Sequence, residues 1–327
     1  MVMDQEKQIL STAELLEMYH QMLLIRTFEE RSAEMYAKGK IGGFLHLYSG
    51  QEAVGVGFIS ALKETDYVIG AYREHGQCLA KGADPKNVMA ELFGKATGVS
   101  KGKGGSMHMF DVKHGFLGGH GIVGGGMPLA VGVGLGIKYR KSDQVCMCFF
   151  GDGAVNEGAF HEAMNMVSLW SLPVIYVLEN NLYAMGTAVY RASSIPDLIR
   201  RASCYDMERE QVDGMDVLAC RDVAERAIRK AREDSEPRFI EAITYRFRGH
   251  SISDPGTYRT KEEIAQWRQH DPIPKMEAHL KSSGMITDEE IKAAHDEADT
   301  RIQDAIDFAE QSPFPPPEAL YQDVYAD

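Results

Sequence analysis

Cysteine is scarce in this chain. The five present, Cys78, Cys146, Cys148, Cys204 and Cys220, are odd in number and form no CxxC pair, which argues against a disulfide framework or a structural zinc site. Basic residues are short too: 35 Lys and Arg stand against 48 Asp and Glu, for a formal charge of −13. So acidic a chain lacks the electropositive face that nonspecific binding to nucleic acid or to an anionic membrane requires. Any phosphate site must be local. Long apolar runs are also missing. The nearest approach, Gly121 to Ile137, is interrupted by seven glycines and reads as a buried helix with a glycine-rich lead-in, not a membrane span. The opening MVMDQEKQIL has neither the apolar centre of a secretory signal nor the Arg/Ser bias of a transit peptide, so a reduced, cytoplasmic setting is expected.

What is present, 44% hydrophobic and 25% charged over 327 residues, is globular. Ser11-x-x-Glu14 heads an apolar repeat at Leu15, Met18, Tyr19, Met22 and Ile25, predicting an amphipathic helix over 11–38. Asp66–Tyr72 reads as a strand that delivers Arg73-Glu74-His75 at its end. Between Gly94 and Gly136, 15 of 43 residues are glycine, a density that tight turns or close ligand approach explain. Val145–Phe150 and Val174–Leu178 are wholly apolar strands on either side of a helix over Asn156–Trp170, which makes a right-handed βαβ unit buried on both faces. Gly151-Asp152-Gly153 and Glu179-Asn180-Asn181 then share one sheet edge. A further strand, Phe239–Phe247, runs into Arg248-Gly249-His250, and Thr260-x-x-Glu263 reads as a capping box that opens a charged helical region reaching about Gln311. The expected architecture is α/β, a mostly parallel sheet flanked by helices, with an N-terminal helical segment at 1–40, the α/β domain at 41–260 and a helical C-terminal appendage at 261–327.

Asp152 and Asn181, at the ends of neighbouring strands, offer two hard oxygen ligands where a phosphorylated ligand would enter, a pair suited to magnesium. Glycines at 151 and 153 admit a diphosphate to the main chain, and Arg73 has a guanidinium able to grip two of its oxygens. Two other readings compete. Gly119-His-Gly121-Ile-Val-Gly124 formally matches the nicotinamide fingerprint GxGxxG, but the preceding Asp111–Leu117 does not read as a buried strand. A noncatalytic scaffold would have no use for Arg73, Asp152, Asn181 and His250 together.

The stretch GDGAVNEGAFHEAMNMVSLWSLPVIYVLENN, together with AYREHG, GKGGSMHMF, GGHGIVGGGMPLAVGVG and YRFRGHSISDPGTYRTKEEI, resembles the alpha subunits of two-chain pyruvate dehydrogenase decarboxylases, in the thiamine-diphosphate-dependent 2-oxo acid dehydrogenase family. The resemblance spans about residues 12 to 325. It implies a thiamine-diphosphate-binding fold that holds the diphosphate half of the cofactor. It makes Asp152, Asn181 and the main-chain carbonyl of Tyr183 magnesium ligands. Tyr72, Arg73, Gly121, Val123, Gly153, Ala154 and His250 would contact the cofactor, and His250 and His46 would line the active centre, His46 near the carboxylate of the 2-oxo acid. The implied partners are a beta subunit with the pyrimidine-binding domain and the activating glutamate, in an assembly of two alpha and two beta chains, and a lipoyl-bearing acyltransferase. SISDPGTYRT resembles the pyruvate enzymes more than their acetoin or branched-chain 2-oxo acid relatives. In mitochondrial relatives the serine matching Ser251 is phosphorylated; here the loop is expected to order with cofactor, and Thr257 replaces its second serine.

Overall fold

The computed structural model describes residues 10–325. The first half of the chain forms α1 (Thr12–Ala37), α2 (Glu52–Ile59), β1 (Tyr67–Ile69), α3 (His75–Ala80), α4 (Pro85–Leu92), α5 (Gly126–Arg140) and β2 (Cys146–Gly151). The second half forms α6 (Gly158–Leu169), β3 (Val174–Asn180), β4 (Tyr183–Ala184), β5 (Thr187–Ala188), α7 (Val189–Ala192), β6 (Glu208–Asp213), α8 (Val217–Asp234), β7 (Arg238–Ile243), α9 (Lys261–Arg268), α10 (Pro272–Ser282) and α11 (Asp288–Gln311). Five strands build one parallel sheet in the order β1-β2-β3-β7-β6, and β4 pairs with β5 in a short antiparallel hairpin. The fold is thus the α/β class read from the sequence.

Strand alternation divides the core. Cys146, Cys148 and Phe150 of β2 join a cluster with Met127, Val131, Phe160 and Met164 of α5 and α6. Met147 and Phe149, one residue out of phase, join the cluster that holds Phe28, Val54 and Ala224 on the other face. Both faces are covered, so Cys146–Phe150 of β2 and Val174–Leu178 of β3 read as unbroken apolar runs. Ile302, Ala305 and Ile306 of α11 lie in that second cluster, and α11 packs on α4 and α1, so both terminal helical regions share the sheet's core.

Local chemistry places the ends. Ser11 and Glu14 close the reciprocal cap of α1 at 2.8 and 3.3 Å, and Gly39 beyond it takes φ +71°. The Thr260 hydroxyl does cap the Glu263 N–H, but no capping box forms: the Glu263 carboxylate accepts from the hydroxyls of Tyr183 and Tyr245 instead, tying α9 to the hairpin. Three other predicted boundaries shift. β1 stops at Ile69, where its register with Cys148 of β2 ends. β7 stops at Ile243 because β3 and β6 both end opposite it, at Asn180 and Asp213. The helix predicted from Asn156 begins at Gly158, because a 3-10 turn occupies Asp152–Asn156 and Glu157 resets the backbone to ψ 146°.

Candidate functional site

Open parallel sheets leave a crevice beyond the carboxyl ends of their strands. Here it is a cavity of about 250 Å³. The turn after β2 contributes Asp152, Gly153 and Ala154, the end of β3 contributes Glu179 and Asn181, and the hairpin contributes Tyr183. From other parts of the chain come Gln51, Tyr72, Arg73, Val123 and Arg246. The register of Gly151 with Glu179 sets the two polar strand ends side by side. Glycine is required at 153: a Cβ there would lie 2.7 Å from that of Ala184, blocking the hairpin's approach.

The hard-oxygen pair is buried and incomplete. Burial pushes the Asp152 carboxyl up to about 6, opposed in part by the Arg246 charge. Asn181 donates through Nδ2 to Gln51 Oε1 at 3.0 Å, which leaves Asn181 Oδ1 buried without a partner. A buried carboxyl beside an unpartnered amide oxygen is a donor set that a hard divalent cation satisfies. Among the described residues no group of three His, Cys, Asp or Glu side chains is arranged for a metal. An ion in this cavity would therefore rest on one carboxylate, one amide and main-chain oxygen, the sparse set magnesium accepts when phosphate completes its shell.

Two guanidinium groups face the same space. Arg73 is 6% exposed and Arg246 2%, and both line the cavity. Arg73 donates to the carbonyls of Leu47 and His250, each at 2.7 Å. Arg246 donates to His250 Nδ1 at 3.0 Å, to the carbonyl of Met185 at 3.2 Å and to the Tyr258 hydroxyl at 3.3 Å. These partners are neutral. Burial and then the neighbouring Arg73 hold Arg246 down to about 10, the mark of positive charge gathered in a poorly solvated place. An anion entering the cavity removes that penalty.

Above Arg73, His46, Tyr72 and His250 form an aromatic triangle with ring centroids 4.9 to 5.5 Å apart. Burial, then Arg73, lowers both histidines to about 3, so both are neutral near pH 7. Since Arg246 can only donate, His250 Nδ1 must accept, and the network assigns the His250 proton to Nε2. Asp254 anchors this corner, accepting from the His250 N–H at 2.6 Å, the Gly256 N–H at 2.9 Å and the Tyr258 hydroxyl at 2.8 Å.

The structure thus brings Tyr72, Arg73, Val123, Asp152, Gly153, Ala154, Asn181 and Tyr183 onto one wall, with His46 and His250 adjoining it through Tyr72 and Arg73. Gly121 is not among the residues lining that wall; a Cβ placed there would meet the His108 ring at 3.0 Å. The sequence places Glu179 at this sheet edge but assigns no site role to it, to Gln51 or to Arg246. Arg246 stands in the quoted YRFRGH, and an arginine next to a histidine-bearing turn was a usable signal. Gln51 offered none, because only tertiary contact brings it to Asn181.

The profile of the family described as "Dehydrogenase E1 component" matches residues 19–318. Among curated proteins, the pyruvate dehydrogenase E1 component subunit alpha of Rhizobium meliloti is 49% identical over 94% of this chain and 89% of its own length. The protein of that name from Porphyra purpurea is 45% identical over 97% and 94%. The one from Rickettsia typhi is 44% identical over 95% and 96%.

Proposed function

This chain belongs to the dehydrogenase E1 component family, and from that premise we propose that it is the alpha chain of a thiamine-diphosphate-dependent enzyme that decarboxylates pyruvate oxidatively and acetylates a lipoyl group. The observation that carries the site assignment is the pairing, in one cavity, of an incomplete hard-oxygen set at Asp152 and Asn181 with buried cations at Arg73 and Arg246. Asp152, Asn181 and the Tyr183 carbonyl would hold Mg²⁺, and Arg73 and Arg246 would bind the cofactor's diphosphate. Val123, Gly153 and Ala154 would supply main-chain and apolar contact to the cofactor.

When bound, thiamine diphosphate supplies the carbon nucleophile and the electron sink that loss of carbon dioxide needs. The chain's own task is to bind, orient and keep water out. Neutral His250 donates its Nε2 proton toward the reacting centre, and neutral His46, across the triangle, receives the substrate carboxylate. Arg73 lends its charge to the 2-oxo acid as well as to the diphosphate. The aminopyrimidine half of the site and its activating glutamate belong to a beta subunit, in an assembly of two alpha and two beta chains located in the cytoplasm. A lipoyl-bearing acyltransferase would take the acetyl group.

The test is coexpression with the beta subunit, followed by assay on pyruvate, branched-chain 2-oxo acids and acetoin. Pyruvate is expected to give the highest kcat/KM, with thiamine diphosphate and Mg²⁺ bound in the assembly and the chain alone inactive. Preference for either alternative substrate overturns the pyruvate assignment. An assembly that binds no thiamine diphosphate overturns the reading as a whole.

A further inference from the structure

His46 sits on Leu45–Ser49, a segment that is neither helix nor strand and yet is buried. Unsupported main chain in such a place must find its hydrogen bonds elsewhere. The Leu45 and Ser49 carbonyls accept from the N–H groups of Ile252 and Phe247. The interior of the segment is held by side chains: the Leu47 carbonyl by Arg73, the Tyr48 N–H by Glu29 Oε1 at 3.0 Å, and the His46 N–H by Ser106 Oγ at 3.2 Å. Ser106 Oγ lies in turn 2.9 Å from His75 Nε2, and His75 Nδ1 lies 3.0 Å from the carboxylate oxygens of Glu29. Glu29, His75 and Ser106 thus form one chain gripping the segment at alternate residues, 46 and 48.

The ends of that grip are rigid. Glu29 and His75 are fully buried. Ser106 follows a glycine-rich loop whose N–H groups converge on buried Glu91: Ser100 and Gly102 donate to its Oε2 at 2.8 Å, and Gly104 and Gly105 to its Oε1 at 2.8 and 3.1 Å. A loop so glycine-rich would otherwise sample many conformations. Anchored by Glu91, it delivers a single hydroxyl to the backbone of the residue whose ring meets Tyr72 and His250.

We propose that Ser106 is a positioning residue for His46, holding its imidazole at the substrate end of the cavity. The proposal rests on the role assigned to His46 above. One net hydrogen bond corresponds to about 5-fold. In the enzyme assembled with its beta subunit, Ser106→Ala is expected to raise the KM for the 2-oxo acid about 5-fold and to lower the melting temperature, since the buried His46 N–H loses its acceptor, with thiamine diphosphate affinity unchanged. If the alanine variant does not assemble, Ser106→Cys retains the volume without the strong acceptor and gives the same readout. The deciding measurement is a double-mutant cycle: if Ser106 acts through His46, Ser106→Ala adds nothing in a His46→Ala background. Full additivity, or a KM defect accompanied by an equal loss of cofactor affinity, overturns the positioning role and leaves His46 in place. A His46→Ala enzyme with normal KM and kcat overturns the assignment of His46 itself.

Discussion

At the scale of single residues, the site is held by groups that are poorly satisfied without a ligand. Asp152→Asn preserves shape and removes the one carboxylate from the proposed magnesium shell. Cofactor affinity in the assembled enzyme should fall on the order of 100-fold, the upper end of what loss of even a supporting metal contact costs. Melting of the chain alone should be unchanged or higher, because a carboxyl whose charged form burial disfavours is removed. Wild-type affinity for thiamine diphosphate, by calorimetry or fluorescence quenching, would show the ligand assignment to be wrong. His46 and His250 give a second prediction. Burial and Arg73 hold both at about 3 in the folded chain, while unfolded histidine titrates near about 6.5. Across that window the unfolded chain binds more protons, so their contribution to stability is complete above about pH 6.5 and is lost as pH falls toward about 3. Replacing both with glutamine should flatten the rise of the urea midpoint between about pH 4 and 6.5. Glu74, raised to about 8 by burial, slopes the opposite way, so the variant is compared with wild type at each pH. Parallel curves would mean that the two rings are protonated in the folded chain.

At the scale of elements, the turn after β7 couples the cavity to the surface. Asp254 gathers three donors, and Arg259 reaches back to the carbonyls of Arg246 and Arg248 at 2.6 and 2.7 Å. Ser251 is 8% exposed, its hydroxyl 3.1 Å from that of Ser253. A carboxylate placed there must open the turn or sit beside the proposed diphosphate, and both outcomes are unfavourable. Ser251→Glu should lower lipoyl acetylation at least 10-fold in the assembled enzyme, more than Ser251→Ala does, and should raise proteolysis within 248–260. A glutamate variant as active and as protease-resistant as wild type removes this turn from the mechanism.

At the scale of the whole molecule, the exposed apolar groups are organised. Leu129, Leu135 and Tyr139 follow one face of α5, interleaved with Gly132 and Gly136, while Phe44, Ile122 and Met185 stand exposed in segments that adjoin the cavity's residues. Large apolar surface of this kind marks an interface. Leu135→Glu, 46% exposed and outside the cavity wall, should leave the fold intact but lower the mass of the assembly formed with the beta subunit, read by sedimentation. An unchanged assembly would show that this face of α5 stays in solvent.

The amino-acid sequence by itself determined what depends on neighbours in the chain. Apolar runs buried on both faces specify the central strands, the Ser11 and Glu14 pair starts α1, and one βαβ connection obliges Asp152 and Asn181 to share a sheet edge. Tertiary structure decided what depends on partners far away in sequence. Glu263 matched a capping signal but hydrogen-bonds two tyrosines, one of them 80 residues distant. The end of β7 follows the length of its two neighbours, because a parallel ladder exists only where a partner strand continues. Gln51 joined the cavity through folding alone, and so did the chain from Glu29 to Ser106 behind His46. Hydrogen bonds and charge act over a few ångströms of space, a measure that spacing along the chain encodes only within a helix turn, a tight turn or a strand pair.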